Sequence, residues 1–189
     1  MEKKTSALPH LGVSMKKFIF FDGDGTLWYP ALTRRRRAPH WIYYDAVTAR
    51  DPNAHLVLTH PSKMVLKRLK AMGVRMAVIS IVPGPWLRAQ RILDRRVKHF
   101  GLEAFFDGIY PAQKRSDAKG RIMERVLLEH GISKRDALMV GDSYVYDYMS
   151  AVKRGIPAVL IYPKNYGSAD AIRVKRRVKR MDQIMRYVR

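Results

Sequence analysis

The chain has 189 residues, 47% of them hydrophobic, and carries 37 Lys and Arg against 16 Asp and Glu, a formal net charge of +21. This composition predicts a folded domain rather than a disordered chain. No apolar run approaches the roughly 20 residues that span a bilayer, and the lack of cysteine excludes disulfides and cysteine nucleophiles. The high positive charge has two interpretations: it promotes nonspecific binding of nucleic acid or, more simply, it gives a basic surface that is solvated by water.

Residues 1–14 precede the first predicted strand and contain no sustained apolar segment of the kind that secretion signals have. We expect them to form a disordered extension to a single domain over residues 15–189. The corresponding expectations are a cytoplasmic location and no membrane partner.

Apolar runs then alternate with amphipathic segments. The predicted strands are 18–21, 74–79, 105–110, 137–140 and 158–162, and the predicted helices are 62–72, 85–98, 120–130 and 144–154. Strands that are apolar along nearly their whole length, separated by helices, indicate a parallel sheet with helices on both faces.

Two segments depart from this alternation. Residues 28–60 lack a clear helix and hold Arg34–Arg37 between aromatic clusters, which favours a β-hairpin flap with an arginine tip. The basic tail, residues 171–189, has four apolar residues at helical spacing, namely Val178, Met181, Met185 and Val188. The tail is therefore predicted to be a helix docked on the core with its basic face exposed.

Small polar residues follow several predicted strands. Asp22 and Asp24 come after the first strand, Ser80 after the second and Asp142 after a later one. Ligands of open parallel sheets bind outside the carboxyl ends of the strands. We therefore expect these side chains to lie close together at one edge of the sheet.

The chemistry of this group indicates phosphoryl transfer. Two carboxylates two residues apart repel each other unless a cation lies nearby, and Mg²⁺ suits carboxylates that must also meet a phosphate. Asp142 can complete a Mg²⁺ site, and Asp147 can support it. Beside the metal one aspartate can attack phosphorus while another transfers protons. Ser80 and Lys119 can bind the phosphoryl oxygens.

Four segments resemble the ordered motifs of the haloacid dehalogenase (HAD) superfamily: FFDGDGTLW, VIS, KGRIMERVLLEHGI and LMVGDSYVYD. The resemblance implies a Rossmann-like three-layer α/β/α fold and an aspartyl-phosphate mechanism. It makes Asp22 the nucleophile and Asp24 the general acid/base. It also implies that Asp22, the backbone carbonyl of Asp24 and Asp142 hold Mg²⁺, with Asp147 in support.

The same resemblance assigns Ser80 and a lysine to the phosphoryl group. Lys119 and Lys114 are both candidates for that lysine. Lys119 is favoured because it opens a predicted helix, and Lys114 stays open as the alternative.

The intervals between the motifs are too short for a helical cap domain. In this respect the chain is similar to the capless magnesium-dependent phosphatase family, which is associated with phosphotyrosine and sugar-phosphate substrates. The segment IVPGPW, residues 81–86, departs from the polar turn usual in that family. Without a cap the site is expected to be open, which suits a large substrate or a lid supplied by a second subunit of a homo-oligomer.

The leading hypothesis is a Mg²⁺-dependent phosphomonoester hydrolase that acts on a small metabolite, a phosphoprotein or a nucleic-acid end. The alternative is a nucleic-acid-binding protein on a HAD scaffold, for which the basic flap and tail are the relevant features. A nucleic-acid end phosphatase would combine the two. The full set of catalytic positions argues against a pure scaffold.

Overall fold

The computed structural model describes residues 15–162, 171 and 173–189, so the predicted extension lies outside the described residues. Six strands of these residues form one parallel sheet: β1 (Phe18–Phe21), β4 (Arg75–Ile81), β5 (Gly108–Ala112), β6 (Ala137–Gly141), β7 (Ala158–Ile161) and β8 (Arg177–Val178). Their order is β5-β4-β1-β6-β7-β8. The chain thus leaves β1 toward one edge and later returns toward the other, which places the switch point beside β1.

Helices cover both faces of this sheet. They are α1 (Ser62–Ala71), α2 (Trp86–His99), α3 (Ala118–Glu129) and the short α4 (Ser150–Val152), which a π-helical turn, Tyr144–Met149, precedes. Residues of α1 and α2 pack with Ile19 and Phe21 of β1, whereas residues of α3 and α4 pack with Phe18 and Phe20. Successive side chains of a strand point to opposite faces, so β1 is buried on both sides, and the predicted three-layer α/β/α fold is confirmed.

Most predicted elements are present with shifted ends. Ser80 lies inside β4, next to its last residue, rather than after the strand. The strand predicted at 105–110 begins at Gly108, because a 3₁₀ turn occupies Glu103–Phe105. The helix predicted at 144–154 is mostly the π-helical turn, and only its last part is α-helical.

The predicted C-terminal helix is wrong. Val178 belongs to β8, which extends the sheet beyond β7 with Ile161 opposite Val178, and a 3₁₀ helix follows at Met181–Tyr187. The exposed edge of β7 offers backbone hydrogen-bond partners, as in the bond from the Tyr162 amide to the Val178 carbonyl. Pairing with that edge takes Val178 out of the helical pattern while keeping it buried.

The predicted flap is partly right. The strands β2 (Trp28–Pro30) and β3 (Leu56–Leu58) pair antiparallel, but residues 31–55 form turns and three 3₁₀ helices rather than a simple hairpin. Arg34–Arg37 lie in the turns that follow β2, four residues and more beyond Pro30, and do not form the tip of a hairpin. We call residues 28–60 the flap below.

No helix among the described residues is long and apolar enough to cross a membrane.

Candidate active site

The strand register brings the predicted acids together. Phe21 lies opposite Val140 of β6 and opposite Val78 of β4, so the loops after these strands lie side by side. The Asp22 amide donates to the Val140 carbonyl at 2.9 Å. The first acidic loop is thereby fixed at the carboxyl end of the central strand.

Three carboxylates form a buried cluster at this edge. One ligand oxygen each from Asp22, Asp142 and Asp147 lies within 4.8 Å of the others. The close approach of Asp142 depends on Gly25, which has φ +93° and where an added Cβ would lie 2.1 Å from Asp142 Oδ2. Only glycine adopts this conformation freely, so the loop sequence fits the position of the Asp142 carboxylate.

Lys119 is the cation of the cluster. It lies in the first turn of α3, where its Nζ donates to Asp22 and, at 2.5 Å, to Asp147 Oδ1. The other oxygen of Asp147 accepts from the Ser143 amide at 2.9 Å. Lys114, the alternative lysine, is exposed and lines the cavity next to the cluster. The contacts with the acids are therefore made by Lys119.

One lysine does not balance three buried carboxylates. Burial, followed by the charge of Asp147, raises the pKa of Asp22 to about 7 despite Lys119. Burial and the charge of Asp22 likewise raise the pKa of Asp142 well above its ordinary value. For Lys119, burial lowers the pKa, but Asp147 and Asp22 raise it by more. The cluster has the oxygen donors and the excess negative charge that a hard divalent cation neutralises, so these residues fit such an ion.

Asp24 points into a different environment. Its Oδ1 accepts from Trp28 Nε1 at 2.6 Å and from Arg96 Nη1 at 2.7 Å, and its Oδ2 accepts from the Tyr43 hydroxyl at 2.7 Å. Burial, followed by the charge of Asp24, raises the pKa of Tyr43 well above its ordinary value. The hydroxyl therefore keeps its proton and acts as a donor to Asp24.

Ser80 lies next to the backbone of the loop that carries Asp22 and Asp24. Its hydroxyl accepts from the Asp24 amide at 3.4 Å, and an added Cβ at Gly23 would lie 2.7 Å from Ser80 Oγ. The side chain is fully buried and does not line the adjacent cavity. Its contacts support the backbone of the loop, and its predicted phosphate-binding role stays a prediction.

A cavity of about 290 Å³ opens over the acids. Asp22, Asp24, Asp142, Asp147 and Lys119 line it. Its other lining residues belong to the flap or lie at or just after the ends of β4, β5 and β6, among them Ala38, Pro39, His40, Ile81, Lys114 and Tyr146. Flap residues thus border a site that was expected to be open, and Ile81 of the IVPGPW segment adds an apolar side chain to its lining.

The partners of Asp24 were not predicted from the sequence. Arg96 is one of 37 cations in the chain, and Tyr43 stands in a flap without a recognisable pattern. One signal was available for Arg96, because it lies on the buried side of α2 with Ala89, Leu93 and Val97. An arginine on the apolar side of an amphipathic helix indicates a buried ionic partner.

Residues 37–161 match the family model of haloacid dehalogenase-like hydrolases. A relative from Xenopus laevis, haloacid dehalogenase-like hydrolase domain-containing protein 3, is 30% identical over 125 residues. This alignment covers 65% of the present chain and 47% of the relative, so the chain spans about half the length of that protein.

Solved structures agree in fold. A predicted phosphoglycolate phosphatase from Haemophilus somnus has a TM-score of 0.69 and 19% identity, with 94% of this chain and 100% of that chain covered. A phospho-aspartyl intermediate analogue of phosphoserine phosphatase has a TM-score of 0.66 and 17% identity, with 93% and 100% covered. At such identities the similarity shows the fold alone.

Proposed function

Because the chain belongs to the haloacid dehalogenase-like hydrolases, we propose that it is a Mg²⁺-dependent phosphomonoester hydrolase with Asp22 as its nucleophile. The observation that carries the proposal is the buried cluster of Asp22, Asp142 and Asp147 around Lys119, beside a cavity at the carboxyl ends of the strands. The names of the structural neighbours, a phosphoglycolate and a phosphoserine phosphatase, support the same class of reaction.

In the proposed reaction, a carboxylate oxygen of Asp22 attacks phosphorus and the bond to the ester oxygen breaks. Asp24 gives a proton to the leaving oxygen, and an aspartyl phosphate remains on Asp22. Asp24 then takes a proton from water, which attacks phosphorus and restores the free carboxylate. Lys119 orients Asp22 through their hydrogen bond and supplies positive charge next to the transferred group.

The residues proposed to hold Mg²⁺ are Asp22, Asp142 and the Asp24 backbone carbonyl, with Asp147 in support. When bound, the ion would neutralise charge on the phosphoryl oxygens and keep the nearby carboxylates ionised. Lys114 also lines the cavity without contacting Asp22, and its proposed role is to contact the leaving group rather than the nucleophile.

The cavity favours a small ester as substrate. About 290 Å³ is near the lower limit for ligand pockets, and the flap segment Ala38–His40 narrows access to it. This supports a phosphorylated metabolite over a phosphoprotein.

A nucleic-acid substrate or partner is the second candidate, and one observation favours it. Helices α1 and α2 lie on the same side of the sheet and present basic side chains to solvent. The exposed cations are Lys63, Lys67, Arg68, Lys70, Arg88, Arg91, Arg95 and Lys98. Such a surface suits the phosphate backbone without reading sequence.

Phosphate release from a panel of esters with Mg²⁺ tests the proposal. The panel contains p-nitrophenyl phosphate, phosphoglycolate, phosphoserine, phosphotyrosine and a 5′-phosphorylated oligonucleotide. We expect turnover of at least one small ester and loss of that turnover to background in Asp22→Asn. A wild-type protein inert on every ester, yet bound to RNA in a salt-sensitive manner, would refute the hydrolase and support the binding protein.

A further inference from the structure

The three donors around Asp24 leave its two oxygens unequal. A carboxylate oxygen has two lone-pair positions. Trp28 Nε1 and Arg96 Nη1 fill both positions on Oδ1, whereas the Tyr43 hydroxyl fills one position on Oδ2. Among the residues that the structure describes, none fills the second position on Oδ2, which is therefore left for a proton, a substrate oxygen or water.

Arg96 makes this arrangement rigid. Its side chain is fully buried in the last turn of α2, where it also donates to the Tyr43 hydroxyl and, through Nε at 3.0 Å, to Asn53 Oδ1. Its guanidinium carbon lies 5.8 Å from the ring centre of Trp28 and 5.2 Å from that of Tyr43. Arginine suits this position because its planar fork holds several acceptors at once.

Fold stability alone does not require this ion pair. The side chains of Arg96 and Asp24 are 0% and 2% exposed, and replacing a buried ion pair by apolar residues is often neutral or stabilising. Asp24 lines the cavity, so the pair fixes the side chain of a residue that borders the candidate site. Tyr43 ends the 3₁₀ helix that begins at Pro39, which also lines the cavity.

We propose that Arg96 and Tyr43 are positioning residues that fix the Asp24 carboxylate so that Oδ2 exchanges the proton with the substrate. This inference rests on the proposed function. In the first step the proton on Oδ2 moves to the leaving oxygen as its bond to phosphorus breaks. In the second step Oδ2 takes a proton from the attacking water. Because Tyr43 belongs to the flap, the same contacts join the flap to the proton-transferring group.

Leaving-group dependence tests the inference. Phenyl phosphate and p-nitrophenyl phosphate are similar in size, but phenolate is the more basic leaving group and depends more on protonation. We expect Tyr43→Phe and Arg96→Met to lower kcat/KM for phenyl phosphate about tenfold more than for p-nitrophenyl phosphate. Tyr43→Phe removes only one hydroxyl, so its kcat/KM values can be measured even if Arg96→Met does not fold.

Leu93→Ala is the matched control, since Leu93 is a fully buried residue of the same helix and packs in the apolar core. It should lower kcat/KM for both esters by the same factor. If Tyr43→Phe behaves like Leu93→Ala, or lowers neither value, the positioning role is refuted while the hydrolase stands. If the wild-type protein cleaves neither ester nor any other in the panel, the proposed function itself fails.

Discussion

Asp22 and Asp24 are two residues apart, are both buried and each bind a buried cation, yet their surroundings differ. Asp22 shares Lys119 with Asp147 and also lies near Asp142, so three carboxylates meet one ammonium. Asp24 faces one guanidinium and two neutral donors. Excess negative charge thus lies on the side of Asp22, and this is the side on which the metal ion is proposed to bind.

The two cations come from opposite layers of the fold. Lys119 lies in the first turn of α3, which packs on one face of the sheet, and Arg96 lies near the end of α2, which packs on the other. The loop that carries Asp22 and Asp24 follows a strand buried between the two helix layers. Each acid therefore binds a cation from a different layer. The proposed roles of nucleophile and proton carrier are thus separated by the layer that supplies each cation.

The largest effect on kcat/KM is expected from replacing Lys119, the cation on the side of Asp22. Lys119→Met should lower kcat/KM for p-nitrophenyl phosphate by about 10²–10³-fold, because it removes the only cation that contacts Asp22 among the described residues. Lys114→Met should cost about tenfold or less, since its charge is exposed and screened by solvent.

Steady-state kinetics on both variants, with circular dichroism to verify folding, checks this prediction. Losing one partner of a buried ion pair costs about 3–5 kcal/mol, so Lys119→Met is best measured with Mg²⁺ present. A greater loss in Lys114→Met than in Lys119→Met would make Lys114 the phosphate-site lysine.

An intermediate effect is expected from the metal. Mg²⁺ should raise the Tm of the wild-type protein, because an ion at roughly 100-fold its Kd adds about 2.7 kcal/mol to the free energy of unfolding. Asp142→Asn should abolish this rise. Without metal the same variant should be more stable than the wild type, since it removes a carboxylate whose charged form is disfavoured by burial and then by the charges of Asp22 and Asp147.

Thermal denaturation with Mg²⁺ and with EDTA measures both effects. Tyr43→Phe, on the side of Asp24, is the control and should keep the full Mg²⁺-dependent rise in Tm. An equal loss of that rise in both variants would show that the charge imbalance does not decide where the ion binds.

The sequence was informative where one local pattern determines the structure. The apolar run Phe18–Phe21 followed by Asp22 predicted a buried strand with an acid at its end. The predicted start of the third helix lies within two residues of the observed start of α3, and this was accurate enough to favour Lys119 over Lys114. Structure that depends on contacts between distant parts of the chain could not be predicted. The spacing of Val178 fits a helix, but the residue forms a strand because it pairs with the edge of β7.

The flap was the least predictable region for the same reason. Tyr43 and Asn53 both bind Arg96, which lies far along the chain. Arg35 was expected to be part of a solvated arginine tip. It instead donates to Thr59 Oγ1 at 2.6 Å and lies over the rings of Tyr29 and Tyr162, at 4.1 and 3.8 Å.

The smallest effect is expected from single hydrogen bonds on the two sides. Trp28→Phe removes the donor to Asp24 Oδ1 but keeps an aromatic ring in place. Thr26→Val removes a hydroxyl that donates to Asp22 Oδ2 at 3.2 Å and preserves the shape of the side chain. Each should lower kcat/KM by roughly threefold to tenfold, because a cation still binds each carboxylate.

The ratio of kcat/KM for phenyl and p-nitrophenyl phosphate distinguishes these two variants. Trp28→Phe frees a lone-pair position on Oδ1 and loosens Asp24, the proposed proton carrier, so its loss should be greater with phenyl phosphate. Thr26→Val affects Asp22, the proposed nucleophile for both esters, so its loss should be the same for both. A ratio shifted equally by both variants would mean that the two carboxylates act as one unit, and the division of roles between the layers would then be wrong.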